Sequence, residues 1–228
     1  MHKRKSKLKK IAFIITIALT VYCFSNKTRT FLENIYIGAP PIILFNQLRP
    51  YLGELNSSAC YQALNTIKLP FRKMADNPED MQEDCFFKGM ILIKHPLKEK
   101  RHISCKLAYA IFQYYEYVLQ PLAVKLFGAK LVSITDKGVR SCRNMTGHKF
   151  LLSEHAYSNA IDIVGFEFEN GENILISRDW GSSNEKGEFL KSAYAKACKL
   201  FNMVISPKYD ESHSDHLHLD MGLSKGCY

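Results

Sequence analysis

Ala160-Ile161-Asp162-Ile163-Val164-Gly165-Phe166-Glu167-Phe168, then Glu169-Asn170-Gly171-Glu172, then Asn173-Ile174-Leu175-Ile176-Ser177, is the stretch on which the fold turns. Its first nine residues, rich in β-branched and aromatic side chains, read as a strand. Asn170-Gly171 is the strongest hairpin signal in the chain, because the tight turns that join antiparallel strands need backbone angles that Asn and Gly tolerate. Ile174 to Ser177 is then the expected partner strand.

The neighbouring segments extend the pattern. Leu190, Tyr194, Ala197, Cys198 and Phe201 recur at helical spacing, which predicts an amphipathic helix over residues 186–202, packed on the sheet. A last strand is expected from His216 to Met221. Upstream, Lys130 to Thr135 alternates as a strand does. Ser104 can cap a helix that places Leu107, Ile111, Tyr115, Val118 and Leu119 on one face. Pro121 opens a second short helix that Gly128 can close. Helices beside neighbouring antiparallel strands define an α+β class, a small antiparallel sheet flanked by helices.

A chain of 228 residues with 46% hydrophobic content buries one good core, and a second full-sized domain would leave both thin. The formal charge of +9 is concentrated at the start: Lys3, Arg4, Lys5, Lys7, Lys9 and Lys10 supply six positive charges and no acid accompanies them, which leaves about +3 for everything else. That is too little for a phosphate-binding face, so nucleic acid is not an expected partner. The basic run enters a mostly apolar segment, Ile11 to Phe24, the order of a signal-anchor. No A-x-A cleavage site follows it, and Tyr22 fits poorly before a lipidated Cys23. The expected organisation is a basic N-terminus and inner-membrane anchor at 1–24, a Pro-containing stalk at 25–57 with Pro40, Pro41 and Pro50, and a globular domain at 58–228 on the periplasmic side. The alternative is a cleaved signal and a secreted periplasmic domain.

Seven cysteines fit that compartment. With Cys23 assigned to the membrane segment, Cys60, Cys85, Cys105, Cys142, Cys198 and Cys227 form an even set, which suggests three disulfides. No C-x-x-C pair occurs, so a cysteine zinc knuckle or thioredoxin-type site has little support. Six cysteines permit fifteen pairings. Cys142 with Cys198 is the first pairing to test, since both flank segments expected to pack near the site.

The chemistry concentrates in two short segments. Four of the eight histidines, His155, His213, His216 and His218, fall beside Asp162, Asp215 and Asp220. In the last strand the period of two puts His216, His218 and Asp220 on one face and turns Leu217 and Leu219 into the core. His155 precedes the strand that carries Asp162. Two imidazoles and a carboxylate make a three-ligand zinc site with a fourth position for water, the arrangement expected of a hydrolase. An H-x-H pair alone is more often structural.

Taken together, Ser153-Glu154-His155-Ala156-Tyr157-Ser158-Asn159-Ala160-Ile161-Asp162 and His213-Ser214-Asp215-His216-Leu217-His218-Leu219-Asp220 resemble the S-x-H-x(6)-D and D-H-x-H motifs of D-alanyl-D-alanine carboxypeptidase, lysostaphin and hedgehog-type zinc peptidases. More closely, Cys60 to Cys227 resembles an extensin-like C-terminal domain of Gram-negative bacteria. Ser141-Cys142-Arg143, Arg178-Asp179-Trp180 and the Cys198 helix leading to Ile205-Ser206-Pro207 add to the likeness. The resemblance implies a hedgehog-like fold and zinc on His155, Asp162 and His218. It implies Asp215 as general base, with His216 and His213 as further proton-transfer or oxyanion groups. Arg143 would steady a carbonyl or a substrate carboxylate. The blander roles are a strand-capping carboxylate for Asp215 and a surface cation for Arg143.

The implied substrate is the stem peptide of peptidoglycan, cut at bonds involving D-amino acids by an endopeptidase or carboxypeptidase. The alternative is a non-catalytic wall-binding or scaffold module. Ser158 departs from the family pattern, which carries glycine there, and requires either a negative φ or modest strain. Trp180, with Tyr157, is placed to line a substrate groove, although core packing is the commoner role for such residues.

Overall fold

The computed structural model describes residues 57–74, 90–148 and 152–228. The anchor expected at 1–24 and the stalk expected at 25–57, apart from Ser57, lie outside these residues. Among the described residues no helix is long and apolar enough to cross a membrane.

The architecture is mixed α and β. Helix α1 (Ser57–Thr66) leads into a three-stranded antiparallel sheet of β1 (Arg72–Lys73), β2 (Met90–Ile93) and β3 (Arg101–Ser104) in that order. The chain then enters α2 (Cys105–Tyr114), capped as expected: the Ser104 hydroxyl accepts the Leu107 amide at 3.1 Å. Leu107, Ile111, Tyr115, Val118 and Leu119 are all buried.

The second short helix expected at Pro121 forms, with Pro121 near its start, but no gap separates it from α2. A π turn, Tyr115–Leu119, joins α2 to α3 (Gln120–Phe127), and the Gln120 amide reaches back to the Tyr115 carbonyl. A proline inside an α-helix clashes with the carbonyl four residues back, and the wider π turn shifts those carbonyls so that the rod continues. The same turn aims two side chains at one residue. Tyr115 Oη donates to the Leu131 carbonyl at 2.7 Å, and the Gln120 amide group both donates to that carbonyl and accepts from the Leu131 amide. Gly128 closes α3 with φ of 62°.

The main sheet holds six strands: β4 (Leu131–Asp136), β5 (Ala160–Phe168), β6 (Asn173–Leu175), β7 (Met203–Ile205), β8 (Leu217–Asp220) and β9 (Gly226–Cys227). The order is β4-β5-β8-β7-β9, with β6 also on β5. All pairings are antiparallel except β7 with β9. One edge of β5 is shared, its first half pairing β8 and its second half β6. At the hairpin, Gly171 takes φ of 83° and the Asn170 side chain accepts the Glu172 amide at 3.0 Å.

The partner strand ends sooner than Ser177, because Ile176–Asp179 turns into a short helix, α4. Asp179 Oδ2 accepts the Leu175 amide at 2.9 Å, which captures the strand end and starts the turn. Helix α5 (Glu185–Leu200) follows, with Asn184 accepting the amides of Lys186 and Gly187. Its Phe189 is fully buried among Phe127, Phe166 and Phe168, so this helix seals the core face of the sheet.

Two disulfides tie elements distant in sequence. Cys60–Cys105 joins α1 to the start of α2, and Cys198–Cys227 joins α5 to β9. The expected Cys142–Cys198 pair is therefore wrong: the parallel β7–β9 pairing carries Cys227 to α5, a contact that no local signal announces. Cys142 is also disulfide-bonded. Its partner, and Cys85, lie outside the described residues.

Candidate metal centre

Register assembles the centre. Asp162 of β5 and His218 of β8 are direct cross-strand partners, so their side chains rise side by side from one face. The flanking pairs, Ile161 with Leu219 and Ile163 with Leu217, are fully buried on the other face. His155 comes from a 3-10 turn, Glu154–Tyr157, immediately before β5. Ser153 caps that turn by accepting the His155 amide at 3.3 Å. Ser158 ends it in the left-handed region, at φ of 52°, where it is buried and its hydroxyl has no partner. Of the two options open to a serine there, the chain takes the strained one.

Three donor atoms converge. His155 Nε2 lies 3.2 Å from His218 Nδ1 and 3.3 Å from Asp162 Oδ1, and His218 Nδ1 lies 2.9 Å from Asp162 Oδ1. His155, Asp162 and His218 form a group able to hold a metal ion. Each imidazole is oriented from behind. His155 Nδ1 donates to the Val139 carbonyl at 3.0 Å, which fixes the tautomer with a lone pair on Nε2. His218 Nε2 donates to Asp220 Oδ2 at 3.2 Å and turns Nδ1 to the cluster, while Asp220 Oδ1 accepts the Gly222 amide at 2.8 Å.

The electrostatics favour a cation here. Burial alone raises the Asp162 pKa, but the hydrogen bonds and charges of His155 and His218 outweigh it and hold the carboxyl far below the usual carboxylate range. Burial opposes a charge on His218 too. Asp162 and Asp220 overcome that and push its pKa up to about 9. Two carboxylates thus favour positive charge on a nearly buried face.

The other expected residues divide. His216 is brought to the centre: its Nε2 lies 3.5 Å from Asp162 Oδ1, and its Nδ1 donates to Asp215 Oδ1 at 2.9 Å. Asp215 stands behind His216, and its second oxygen is ion-paired with Lys137. Those hydrogen bonds, from His216 first and Lys137 next, hold Asp215 below its usual range. His213 lies tilted against His216 and edge-on to His218, with centroids 5.2 and 6.1 Å away, while its Nδ1 is taken up by Asp210 at 2.6 Å.

Arg143 is exposed, and its guanidinium bonds to the neighbouring Asn144 carbonyl at 3.5 Å rather than to any of the three donors. Trp180 packs edge-on against Tyr194 and lines a cleft whose walls contain none of the donors. Tyr157 is half-buried on the turn that carries His155.

Of three positioning residues, one was legible in the sequence and two were not. Asp220 was legible as sharing a face with His218, and a carboxylate two residues after a ligand on one strand face is a recognisable signal for an orienting group. Lys137, behind Asp215, carries no such signal. Neither does Asn159, which accepts from the Ser104 hydroxyl at 2.8 Å and donates to Glu154 at 2.6 Å, tying the ligand turn to the start of α2.

A family model, that of the extensin-like protein C-terminus, matches residues 58–228. No curated protein and no solved structure matches the chain.

Proposed function

We propose that this chain, which belongs to the extensin-like protein C-terminus family, is a zinc-dependent peptidase that hydrolyses bonds involving D-amino acids in the stem peptides of peptidoglycan. The observation that carries the reading is the spacing of the three donors. Ligands at about 2.0–2.1 Å in a tetrahedron stand about 3.3–3.4 Å apart. The separations of 3.2 and 3.3 Å from His155 to His218 and to Asp162 fit that edge length, and the third, 2.9 Å between His218 and Asp162, is about 0.4 Å shorter. Two neutral imidazoles, a carboxylate and oriented supporting groups are also the donor chemistry of catalytic zinc. The kinship with D-alanyl-D-alanine carboxypeptidase, lysostaphin and hedgehog-type peptidases, and the hedgehog-like fold, belong to the same proposal, supported by the paired motifs.

Bound zinc would supply Lewis acidity toward a carbonyl oxygen and acidify water. The chain's residues do the remainder. Asp215 accepts the Nδ1–H of His216 and so leaves His216 Nε2 as the basic atom beside Asp162. In this reading His216 moves the proton and Asp215 fixes its tautomer and charge, which refines the assignment of Asp215 as the base. His213, tilted against His216, and the exposed Arg143 are the candidates for contacts with the substrate carbonyl or carboxylate. The disulfides support an oxidising compartment, and with the basic N-terminal run they support a single-pass inner-membrane protein whose domain faces the periplasm.

The second reading is a wall-binding or scaffold module without turnover. Engagement of both Asp215 oxygens, by His216 and Lys137, favours it. Metal analysis of the purified protein together with digestion of purified peptidoglycan decides. Stoichiometric zinc with released peptides supports the peptidase, bound zinc without products the module, and no zinc removes both the site and the mechanism.

A further inference from the structure

A second site lies beside α5, where the ends of β7 and β9 approach it. A cleft of about 680 Å³ is walled by Trp180, Tyr194 and Tyr228, with Ser206, Lys191 and Lys208 among its polar lining. Trp180 and Tyr194 meet edge to face, with centroids 5.7 Å apart. Tyr228 is 53% exposed and packs at 5.4 Å on Tyr209, which is 53% exposed as well. Tyr209 in turn meets His213 at 5.9 Å, and His213 contacts His216 at a tilt and His218 edge-on. A continuous aromatic row therefore runs from the cleft to the edge of the metal centre.

The exposed ring of Tyr228 and the half-buried rings of Trp180 and Tyr194, beside hydroxyl and ammonium groups, suit a ligand with an apolar face and a polar rim. A pyranose has that construction: its axial C–H groups pack on a ring while its hydroxyls bond the rim. The lining contains no arginine and includes Glu188, which disfavours a phosphate-bearing ligand.

We propose that this cleft binds a pyranose oligosaccharide, and that the row Tyr228, Tyr209, His213 leads from the bound sugar to the metal centre. Assignment of the sugar as the glycan of peptidoglycan rests on the proposed function, whereas sugar binding itself does not. The cleft would hold the glycan strand while an attached stem peptide reaches the three donors.

Trp180 is the only tryptophan in the chain, so its fluorescence reports the cleft directly. The probe is the tetramer of β-1,4-linked N-acetylglucosamine, titrated into the purified full-length protein. A saturable change in emission is expected, with about tenfold weaker affinity in Tyr228→Ala, equivalent to about 1.4 kcal/mol. The backbone of Tyr228 keeps its bonds to Val204 and Ser206 in that variant, so the terminal segment stays anchored. His218→Ala should bind the sugar as the parent does. No saturable change, equal affinity in Tyr228→Ala, or an equal response to a sugar-free stem peptide would overturn the proposal. Sugar binding without hydrolysis of peptidoglycan would defeat the peptidase reading alone, and hydrolysis without sugar binding would defeat the cleft alone.

Discussion

Ser158 holds the left-handed conformation that lets the chain turn from His155 into β5, with its hydroxyl buried and unpartnered. A side chain in that region costs about 1–2 kcal/mol, and a buried unpaired hydroxyl adds a similar penalty. Glycine relieves both but gains about 0.4–1 kcal/mol of unfolded-state entropy. Ser158→Gly should therefore stabilise the protein by about 1–3.5 kcal/mol, read as a higher denaturant midpoint at constant slope. A lower midpoint would mean the turn bears no such strain. The same scale separates ligand from proton carrier. His218→Ala should lose both metal and hydrolysis, whereas Asp215→Asn should keep the metal and lose most turnover, because an amide that turns its NH₂ toward His216 unsettles the tautomer. His216→Gln distinguishes the assignments further: near-parental hydrolysis in that variant would return the role of base to Asp215.

Among the elements, the start of α2 has more to do than begin a helix. Ser104 caps Leu107, its hydroxyl donates to Asn159, and its amide donates to the Ser158 carbonyl, so one residue joins the helix to the turn that holds His155. Ser104→Ala should cost about 1–2 kcal/mol of stability and also weaken metal affinity, measured by competition with a chromogenic chelator. Unchanged metal affinity would confine Ser104 to capping. At the end of β6, Asp179 receives both Arg178 and the Leu175 amide, and the Arg178 hydrogen bonds, as the main cause, hold its pKa below the ordinary carboxylate value. A carboxyl depressed on folding contributes stability that is present above its unfolded value of about 3.9 and is lost as pH falls through the lower folded value. Asp179→Asn should then flatten the stability profile below about pH 4, and an unaltered acid limb would contradict this. These elements also mark what the sequence could convey. The span of β5, the Asn170-Gly171 turn, the Ser104 cap and the αL glycine at 128 follow from local chemistry, and each was legible. The convergence of His155, Asp162 and His218 was implied by the resemblance of the paired motifs. The three-stranded sheet, the β7–β9 pairing and the Cys227 partner depend on contacts between segments far apart, where no local preference decides. The second short helix with Pro121 near its start and Gly128 at its end was legible as well, whereas the π turn that joins it to α2 carries no local signal.

At the scale of the whole molecule, the disulfides bear on both the proposed compartment and the candidate metal centre. Cys60–Cys105 and Cys198–Cys227 close loops with sequence separations of 45 and 29 residues, and each should stabilise the fold by about 2–4 kcal/mol, chiefly by restricting the unfolded chain. Cys198–Cys227 staples β9 to α5, β9 pairs with β7, and β7 pairs with β8, the strand that presents His218 and Asp220. Opening it should loosen the edge of the sheet nearest the last ligand. Protein from an oxidising compartment should yield both bridges on non-reducing peptide mapping, with Cys142 also bonded. Reduction should lower the melting temperature by roughly 10–30 °C, since 1 kcal/mol moves a chain of this size by about 2–4 °C. The single change Cys227→Ser should weaken metal binding more than Cys60→Ser does, because only the first bridge borders the strands behind His218. Equal metal affinity in the two variants would show that the centre is held by the register of β5 and β8 alone, and free thiols at Cys60 and Cys105 in the native protein would remove the case for a periplasmic domain.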